Sequence, residues 1–386
     1  MKKIFMTMLA AVAVTASFAQ GNPKIAKEIK ATKDFVAGKE ILQQQMGTLT
    51  EEQKGQAYAE LYKLALPAAQ KSAQALGENK TAEVDYKAIA NAVEMAAMCD
   101  KFNAKNAKDA NIEMMNYRPQ LVNAANQTSD LDDKLFYSLT YINSANPKSL
   151  EGVVKGEDPY VALSSFFACV SYYQKQDFKS AAKYAKAALP DDRVSENAEQ
   201  IYLSCIGRDL NTKQDTVNYI NALKDLDADK YFQQICLLNY YIGEKDEVNS
   251  LINKAITENK NTKVAYLVRG TMFSEEKKFD EAIEDYKKVV EADPEFVSGW
   301  EALAVCYTNK AAEIEVNHAD KNGRVLGDNL VKFKAALDGA VAAYEKVREL
   351  DPNHEKVYNW PMQLRSLYTR LGQTAKAQEI SKLLGE

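Results

Sequence analysis

The chain has 386 residues, of which 46% are hydrophobic and 27% are charged, a composition that excludes a globally disordered protein. Only 16 Gly and 9 Pro occur, and because sheet proteins need many turns, this scarcity favours long helices. The formal net charge is −5, with 49 Lys and Arg against 54 Asp and Glu, which gives no support to a nucleic-acid-binding protein, since such binding depends on excess positive charge.

Residues 1–19 have the pattern of a signal peptide. Two lysines precede an apolar run from Ile4 to Val14, and the small side chains of Ser17 and Ala19 predict cleavage before Gln20. The apolar run is too short for a permanent membrane-spanning helix, and no Cys stands at the cleavage site to carry a lipid anchor. We therefore expect an exported chain, periplasmic or associated with the outer membrane, with no membrane span. A buried N-terminal helix is the alternative.

Residues 20–156 show a helical pattern without a clear repeat. Apolar residues recur on one helix face in segments 56–76, 84–102, 112–125 and 131–142. Pro67 is expected to kink the first of these segments. We predict diverged helical hairpins that continue the same stack as the rest of the chain, and a separate helical domain is the alternative.

A pattern of small and large side chains recurs in residues 157–386. Ala282, Tyr286 and Val289 lie three and four residues apart, so they share one helix face. The same order of side chains returns at Ala340, Tyr344 and Val347. Val248 is a weaker match to the position of Ala282 and precedes it by 34 residues. Pro294 follows the best copy and cannot extend its helix, so it favours a turn into the next unit.

This unit resembles the tetratricopeptide repeat (TPR), a helix–turn–helix of about 34 residues. The best copy runs over 263–296, and it carries the core residues of the repeat at Tyr266, Gly270, Phe273, Phe279, Ala282, Tyr286, Val289 and Pro294. Arg269 departs from the pattern, because Leu is usual there. Weaker copies lie around 160–189 and 231–255, with a degenerate copy over 196–226 between them. The resemblance implies an all-α superhelical solenoid of stacked antiparallel helix pairs.

The copy that begins at Trp300 contains an insertion. Trp300 to Ala340 spans 40 residues, whereas the repeat needs about 16. The residues after Lys310 continue the first helix without a breaker, and Asn322–Gly323 supplies a turn. We predict an extended hairpin near 310–337. It could form a partner-specific contact or be an inert, lengthened hairpin.

The sequence offers few residues for catalysis. It has two histidines, His318 and His354, and no GxxxxGK phosphate loop, HExxH helix or GxSxG elbow. We therefore predict no enzyme, no cofactor and no metal site. The five cysteines are flanked by apolar residues and form no CxxC pair, and we expect free, buried thiols at Cys99, Cys169, Cys205, Cys236 and Cys306.

The resemblance also implies a ligand groove on the concave face, which is formed by the first helix (helix A) of each pair. The positions carried over to this sequence are Phe166, Val170, Tyr173, Gln233, Leu237, Tyr240, Tyr241, Thr271 and Glu301. This face begins apolar and aromatic and becomes polar toward the C-terminus. Some family members grip a terminal carboxylate with a Lys/Asn clamp, which is absent here. N-terminal helices that fold back over the aromatic part are the alternative.

Together these features predict a non-catalytic adaptor of the bacterial cell envelope that binds a protein or peptide segment in the groove. The predicted partner is a protein, which the sequence does not identify, and not a nucleic acid. Alanine at Tyr173 and Tyr240 is expected to weaken binding with little loss of stability. The alternative function is a carbohydrate-binding or enzyme-associated outer-membrane component, and the missing lipid-anchor Cys argues against it.

Overall fold

A computed structural model describes residues 21–153, 156 and 158–385, so the predicted signal peptide lies outside the described residues. Within them the chain forms helices, and β-structure is limited to isolated bridges. The predicted all-α fold of stacked antiparallel helix pairs is confirmed. The chain divides into two compact units, one up to Asp209 and one from Leu210. The domain boundary that the sequence suggests after residue 156 stays a prediction.

Ten α-helices are described in the first unit. They are α1 (Ile25–Thr32), α2 (Phe35–Gln45), α3 (Glu51–Gly77), α4 (Tyr86–Lys101), α5 (Ala107–Met114), α6 (Arg118–Gln127), α7 (Leu131–Asn143), α8 (Val161–Gln174), α9 (Phe178–Ala188) and α10 (Ser195–Ile206). Short 3₁₀ turns cover Met46–Thr48, Thr81–Glu83 and Lys148–Leu150. Neighbouring helices pack against each other, most extensively in the pairs α3–α4 and α8–α9.

Local signals set the ends of these helices. Thr50 and Gln53 form a reciprocal capping box at the start of α3, which continues through Pro67 to Gly77. The segment predicted as one helix over 112–125 is divided, because α5 ends at Met114 and α6 begins at Arg118. Pro119 lies in the first turn of α6, where a missing N–H costs no intrahelical hydrogen bond.

Helix α8 is fixed to the helices that precede it. The carboxylate of Asp158, just before α8, accepts a hydrogen bond from the Arg118 guanidinium at 2.8 Å and another from the Tyr141 hydroxyl at 2.7 Å. Leu163 and Phe167 of α8 pack on the core that the N-terminal helices form. The N-terminal helices therefore share one core with α8, the first helix of the first repeat-like pair.

Nine α-helices are described in the second unit. They are α11 (Lys213–Asp227), α12 (Phe232–Tyr241), α13 (Lys245–Thr257), α14 (Thr262–Glu275), α15 (Phe279–Ala292), α16 (Val297–His318), α17 (Gly327–Leu350), α18 (Trp360–Arg370) and α19 (Thr374–Leu383). From α12 onward they form four consecutive pairs, and in each pair the first helix is helix A of a repeat.

The α14–α15 pair explains why the repeat alternates small and large side chains. Ala282, Tyr286 and Val289 are buried, as the spacing predicts. A Cβ placed on Gly270 would lie 2.9 Å from the Tyr286 ring, so glycine is what lets α14 approach α15 closely. Cys169 and Cys236 occupy the position of Gly270 in their own repeats. Their small apolar side chains likewise let the two helices of a pair approach closely. The predicted burial of all five thiols is confirmed.

A buried carboxylate organises the turn between α17 and α18. Asp351 accepts hydrogen bonds from the backbone N–H groups of Glu355, Lys356 and Val357 at 2.8–3.0 Å. Burial by itself would raise the pKa of Asp351, but these donors hold it below its ordinary value. The indole N–H of Trp360 donates to the Asp351 carbonyl. The inter-repeat turn is therefore fixed by hydrogen bonds as well as by Pro352.

The α16–α17 pair is longer than its neighbour. Helix α16 has 22 residues and α17 has 24, against 14 each for α14 and α15. The two long helices are joined by residues 319–326, where Ala319 and Val325 form a single antiparallel bridge. Ala340 and Tyr344, near the middle of α17, are buried like their counterparts in α15. The additional residues thus lengthen the pair at the end that carries the turn.

Candidate binding groove

The second unit places helices A side by side. Helix α14 contacts α12 on one side and α16 on the other, and the Tyr241 hydroxyl of α12 donates to the Glu275 carboxylate of α14 at 3.0 Å. The second helix of each pair packs against one side of its helix A. The opposite side of helix A carries exposed residues on α12, α16 and α18 and is mostly half-buried on α14, and we call these sides together the groove.

Helix α12 carries four of the predicted groove residues, two of them exposed and two half-buried. Gln233 is exposed, and the side chain of Tyr241 is 64% exposed. Leu237 and Tyr240 are half-buried and pack on the core of α13 and α14. Alanine at Tyr240 would therefore remove packing as well as a groove ring, so the little loss of stability expected from the sequence should be larger here than at an exposed groove residue. The Tyr241 ring contacts the Tyr240 ring at 5.6 Å and leaves most of its surface exposed to a ligand.

Helices α14 and α16 bring Thr271 and Glu301 to the groove. The Thr271 hydroxyl donates to the Leu267 carbonyl at 2.9 Å and accepts a bond from the Tyr286 hydroxyl at 3.3 Å, so its hydrogen-bonding capacity is used within the repeat. Glu301 is half-buried and forms no ion pair or hydrogen bond with the described residues. Burial raises the pKa of the Glu301 carboxyl. Beside it, Val305 is 39% exposed.

Helix α18 adds residues that the sequence analysis did not select. Ala377 of α19 corresponds to Ala282 of α15. Met362 stands as far before Ala377 as Leu267 stands before Ala282, so these two residues are equivalent. By the same count, Arg370 is equivalent to Glu275. Met362 is 53% exposed. Arg370 pairs with Glu315 of α16 and lies over the Phe333 ring of α17 at 5.2 Å. The register of Ala377 was the signal that could have identified both residues.

The residues predicted in the first unit, Phe166, Val170 and Tyr173, lie on α8 and are half-buried. Phe166 packs on the small cluster of Ala188, Val194 and Ala198. The Tyr173 hydroxyl is 3.2 Å from the Ser204 Oγ, and its ring meets the edge of Phe178 at 5.6 Å. Both aromatic rings are thus engaged in packing within the unit, and their role in binding stays a prediction.

Neither a metal-binding cluster nor a membrane-spanning helix occurs in the described residues. No group of three or more His, Cys, Asp or Glu side chains in this part of the chain is arranged to hold a metal ion. None of the described helices combines the length and apolar character that crossing a membrane requires.

Comparison with known proteins identifies the repeat. Residues 264–296 match the family model described as tetratricopeptide repeat, so the α14–α15 pair is a TPR unit. This repeat indicates a protein-interaction scaffold. No curated protein gives a significant match.

Among solved structures, a monomeric mutant of IFIT1 with Gppp-AAAA has a TM-score of 0.40 at 16% identity and covers 76% of this chain and 69% of its own. The human IFIT1 dimer with m7Gppp-AAAA has a TM-score of 0.38 at 17% identity, covering 76% and 68%. The TPR domain of P58(IPK) has a TM-score of 0.20 at 15% identity, covering 88% and 97%. At these identities and TM-scores, what those proteins bind says nothing about what this chain binds.

Proposed function

We propose that this protein is a non-catalytic scaffold that binds a segment of a partner protein in the groove of the second unit. The observation that carries the proposal is an exposed apolar side chain on three of the groove helices: Tyr241 on α12, Val305 on α16 and Met362 on α18. Large, exposed apolar side chains on an open concave face are typical anchors for a protein ligand. The TPR match supports the same kind of partner.

The polar residues of the groove restrict the ligand. The positions that form a carboxylate clamp in some TPR proteins hold Leu267, Thr271, Glu301 and Val305. None of these four side chains carries a positive charge, and Glu301 would repel a terminal carboxylate. The groove therefore favours an internal segment of the partner over its C-terminus.

Alanine at Tyr241 should weaken binding about tenfold and lower stability by no more than about 1 kcal/mol, because the ring is exposed and its hydrogen bond to Glu275 lies at the surface. The test uses peptides selected on the full chain from a phage-displayed library of random 16-residue sequences. Their dissociation constants for the wild type and for Tyr241→Ala are measured by fluorescence anisotropy. The urea unfolding curves of the two proteins should differ by no more than about 1 kcal/mol.

Tyr358→Ala is the matched control, because Tyr358 is an exposed tyrosine of the same unit but lies in the turn before α18. It should leave the dissociation constants unchanged within twofold. Selected peptides that bind the wild type and Tyr241→Ala equally well would show that Tyr241 is not an anchor, and peptides that also bind Val305→Ala equally well would show that the groove is not the binding site.

We further propose that the protein is exported to the envelope of a bacterium, where it is periplasmic or associated with the outer membrane. The support is the pattern of residues 1–19, a basic start followed by an apolar run and small side chains at Ser17 and Ala19.

Mass spectrometry of the protein from its own cells should find Gln20 as the first residue. Replacing Ala19 with Tyr should block cleavage, because the recognition position accepts only a small side chain. An abundant mature protein that retains residues 1–19 would contradict export by this route.

A further inference from the structure

The open side of α16 carries a continuous row of side chains. Glu301, Val305, Thr308, Ala312 and Val316 follow each other at intervals of three and four residues, so at about 100° per residue they lie within roughly 80° of the helix circumference. At ~1.5 Å per residue the row is about 22 Å long. Val316, near its end, is 83% exposed.

Contacts on both sides show that this row faces the groove. Glu313, on one side of it, is 3.7 Å from the Lys277 ammonium of the preceding repeat. Glu315, on the other side, pairs with Arg370 of the following repeat. The buried residues Leu303 and Cys306 lie roughly 120–180° from the middle of the row, on the opposite side of the helix. The row therefore extends the open face of α16 beyond the length of α14.

The spacing of the row matches another helix better than an extended peptide. Side chains three and four residues apart on one helix pack into the equivalent row of a second helix. Thr308 and Ala312 are small and stand between two valines, which permits the usual interaxial distance of about 8–10 Å. Helix-in-groove recognition by residues at such spacing is a known mode of peptide binding.

The charges of the groove determine the polar side of such a helix. Glu275 and Glu301 both bring carboxylates to the open face, and neither forms an ion pair with a described residue. Tyr241 donates a hydrogen bond to Glu275, whereas Glu301 accepts none from the described residues. A positive side chain on the ligand would therefore complement Glu301.

We infer that the groove binds an amphipathic helix that lies along α16, with its apolar row against Val305, Ala312 and Val316 and a Lys or Arg beside Glu301. This inference rests on the proposed function. It also assigns a role to the lengthened α16–α17 pair, which supplies the last turns of the binding row.

The test compares two valines of the same hairpin. Val316→Gln removes an apolar side chain from the row, whereas Val331→Gln changes a valine that is 69% exposed on α17, on the side away from that helix's buried residues. Glutamine is a good helix former, so neither change disturbs the helix. With the peptides selected on the full chain, Val316→Gln should raise the dissociation constant about five- to tenfold, and Val331→Gln should leave it within twofold.

Two further measurements examine the ligand itself. Circular dichroism difference spectra should show that the selected peptides gain helix on binding, and their sequences should carry apolar residues at intervals of three and four. Glu301→Gln should weaken binding at least threefold at low ionic strength. The difference from the wild type should shrink in high salt, because salt screens the attraction.

The outcomes separate the two proposals. Peptides that depend on Tyr241 but bind Val316→Gln as tightly as the wild type, or that gain no helix, would overturn the helical ligand and leave the groove function intact. Unchanged affinity for Glu301→Gln would overturn the cationic contact. If no recovered peptide depends on Tyr241, Val305 or Val316, the groove function fails, and the helical ligand fails with it.

Discussion

Replacing Arg269 with Leu should lower the free energy of unfolding by about 3 kcal/mol, although Leu is the residue that TPR units usually have at this position. The Arg269 guanidinium donates two hydrogen bonds, at 2.7 and 2.8 Å, to the carboxylate of Asp285 on α15. Asp285 is buried. Leucine would leave that carboxylate without its bidentate partner, and a buried charge that loses its partner is strongly destabilising.

One neighbouring charge limits the size of this effect. The Lys288 ammonium is 3.8 Å from Asp285 and half-exposed, so it can compensate only in part. Urea unfolding of the full chain, followed by far-UV circular dichroism, measures the change.

The double variant Arg269→Leu/Asp285→Ala is the control, because it removes both members of the pair. It should recover most of the lost stability, since two apolar side chains can replace a buried ion pair at little cost. If Arg269→Leu is as stable as the wild type, the Arg269–Asp285 pair makes no net contribution to the free energy of unfolding. A double variant no more stable than Arg269→Leu would show that the unpaired carboxylate is not the cause of the loss.

Alanine at Tyr286 should cost about 3–5 kcal/mol of unfolding free energy, the usual range for truncating a large buried aromatic side chain. The Tyr286 ring is buried in the α14–α15 pair, and Gly270 has no side chain because that ring occupies the space. Removing the ring leaves a cavity at the centre of the repeat. Thermal and urea unfolding of the full chain should both report the loss.

Tyr286→Phe distinguishes the ring from its hydroxyl. It keeps the packing and removes only the hydrogen bond to Thr271, so it should cost about 1 kcal/mol. If Tyr286→Ala proves as mild as Tyr286→Phe, the ring is not the centre of the repeat's core.

The helix pairs were predictable because their signals are local. The interval from Ala282 through Tyr286 to Val289 selects one helix face, and the structure buries all three side chains. The same local logic predicted the burial of Cys169 and Cys236. It did not predict the break between α5 and α6, because the apolar residues on both sides of Pro119 continue one helical pattern.

The groove was predictable only in part. The repeat register placed Gln233 and Tyr241 on an open helix side, and both are exposed. It also placed Tyr240 there, although Tyr240 packs partly on the core of α13 and α14. Neighbours in a sequence point in directions about 100° apart on a helix, so a small rotation of α12 decides which of the two tyrosines is covered.

Sequence by itself determined that this chain forms stacked helix pairs, where the best repeat lies and which pair is lengthened, because helix periodicity and turn residues act over fewer than about ten positions. Tertiary structure decided which side chains those helices leave open and which charges they pair. Arg269 of α14 forms an ion pair with Asp285 of α15, and Val316 lies on an open face between two repeats. Such outcomes depend on contacts between residues distant in the chain, which a local pattern does not specify.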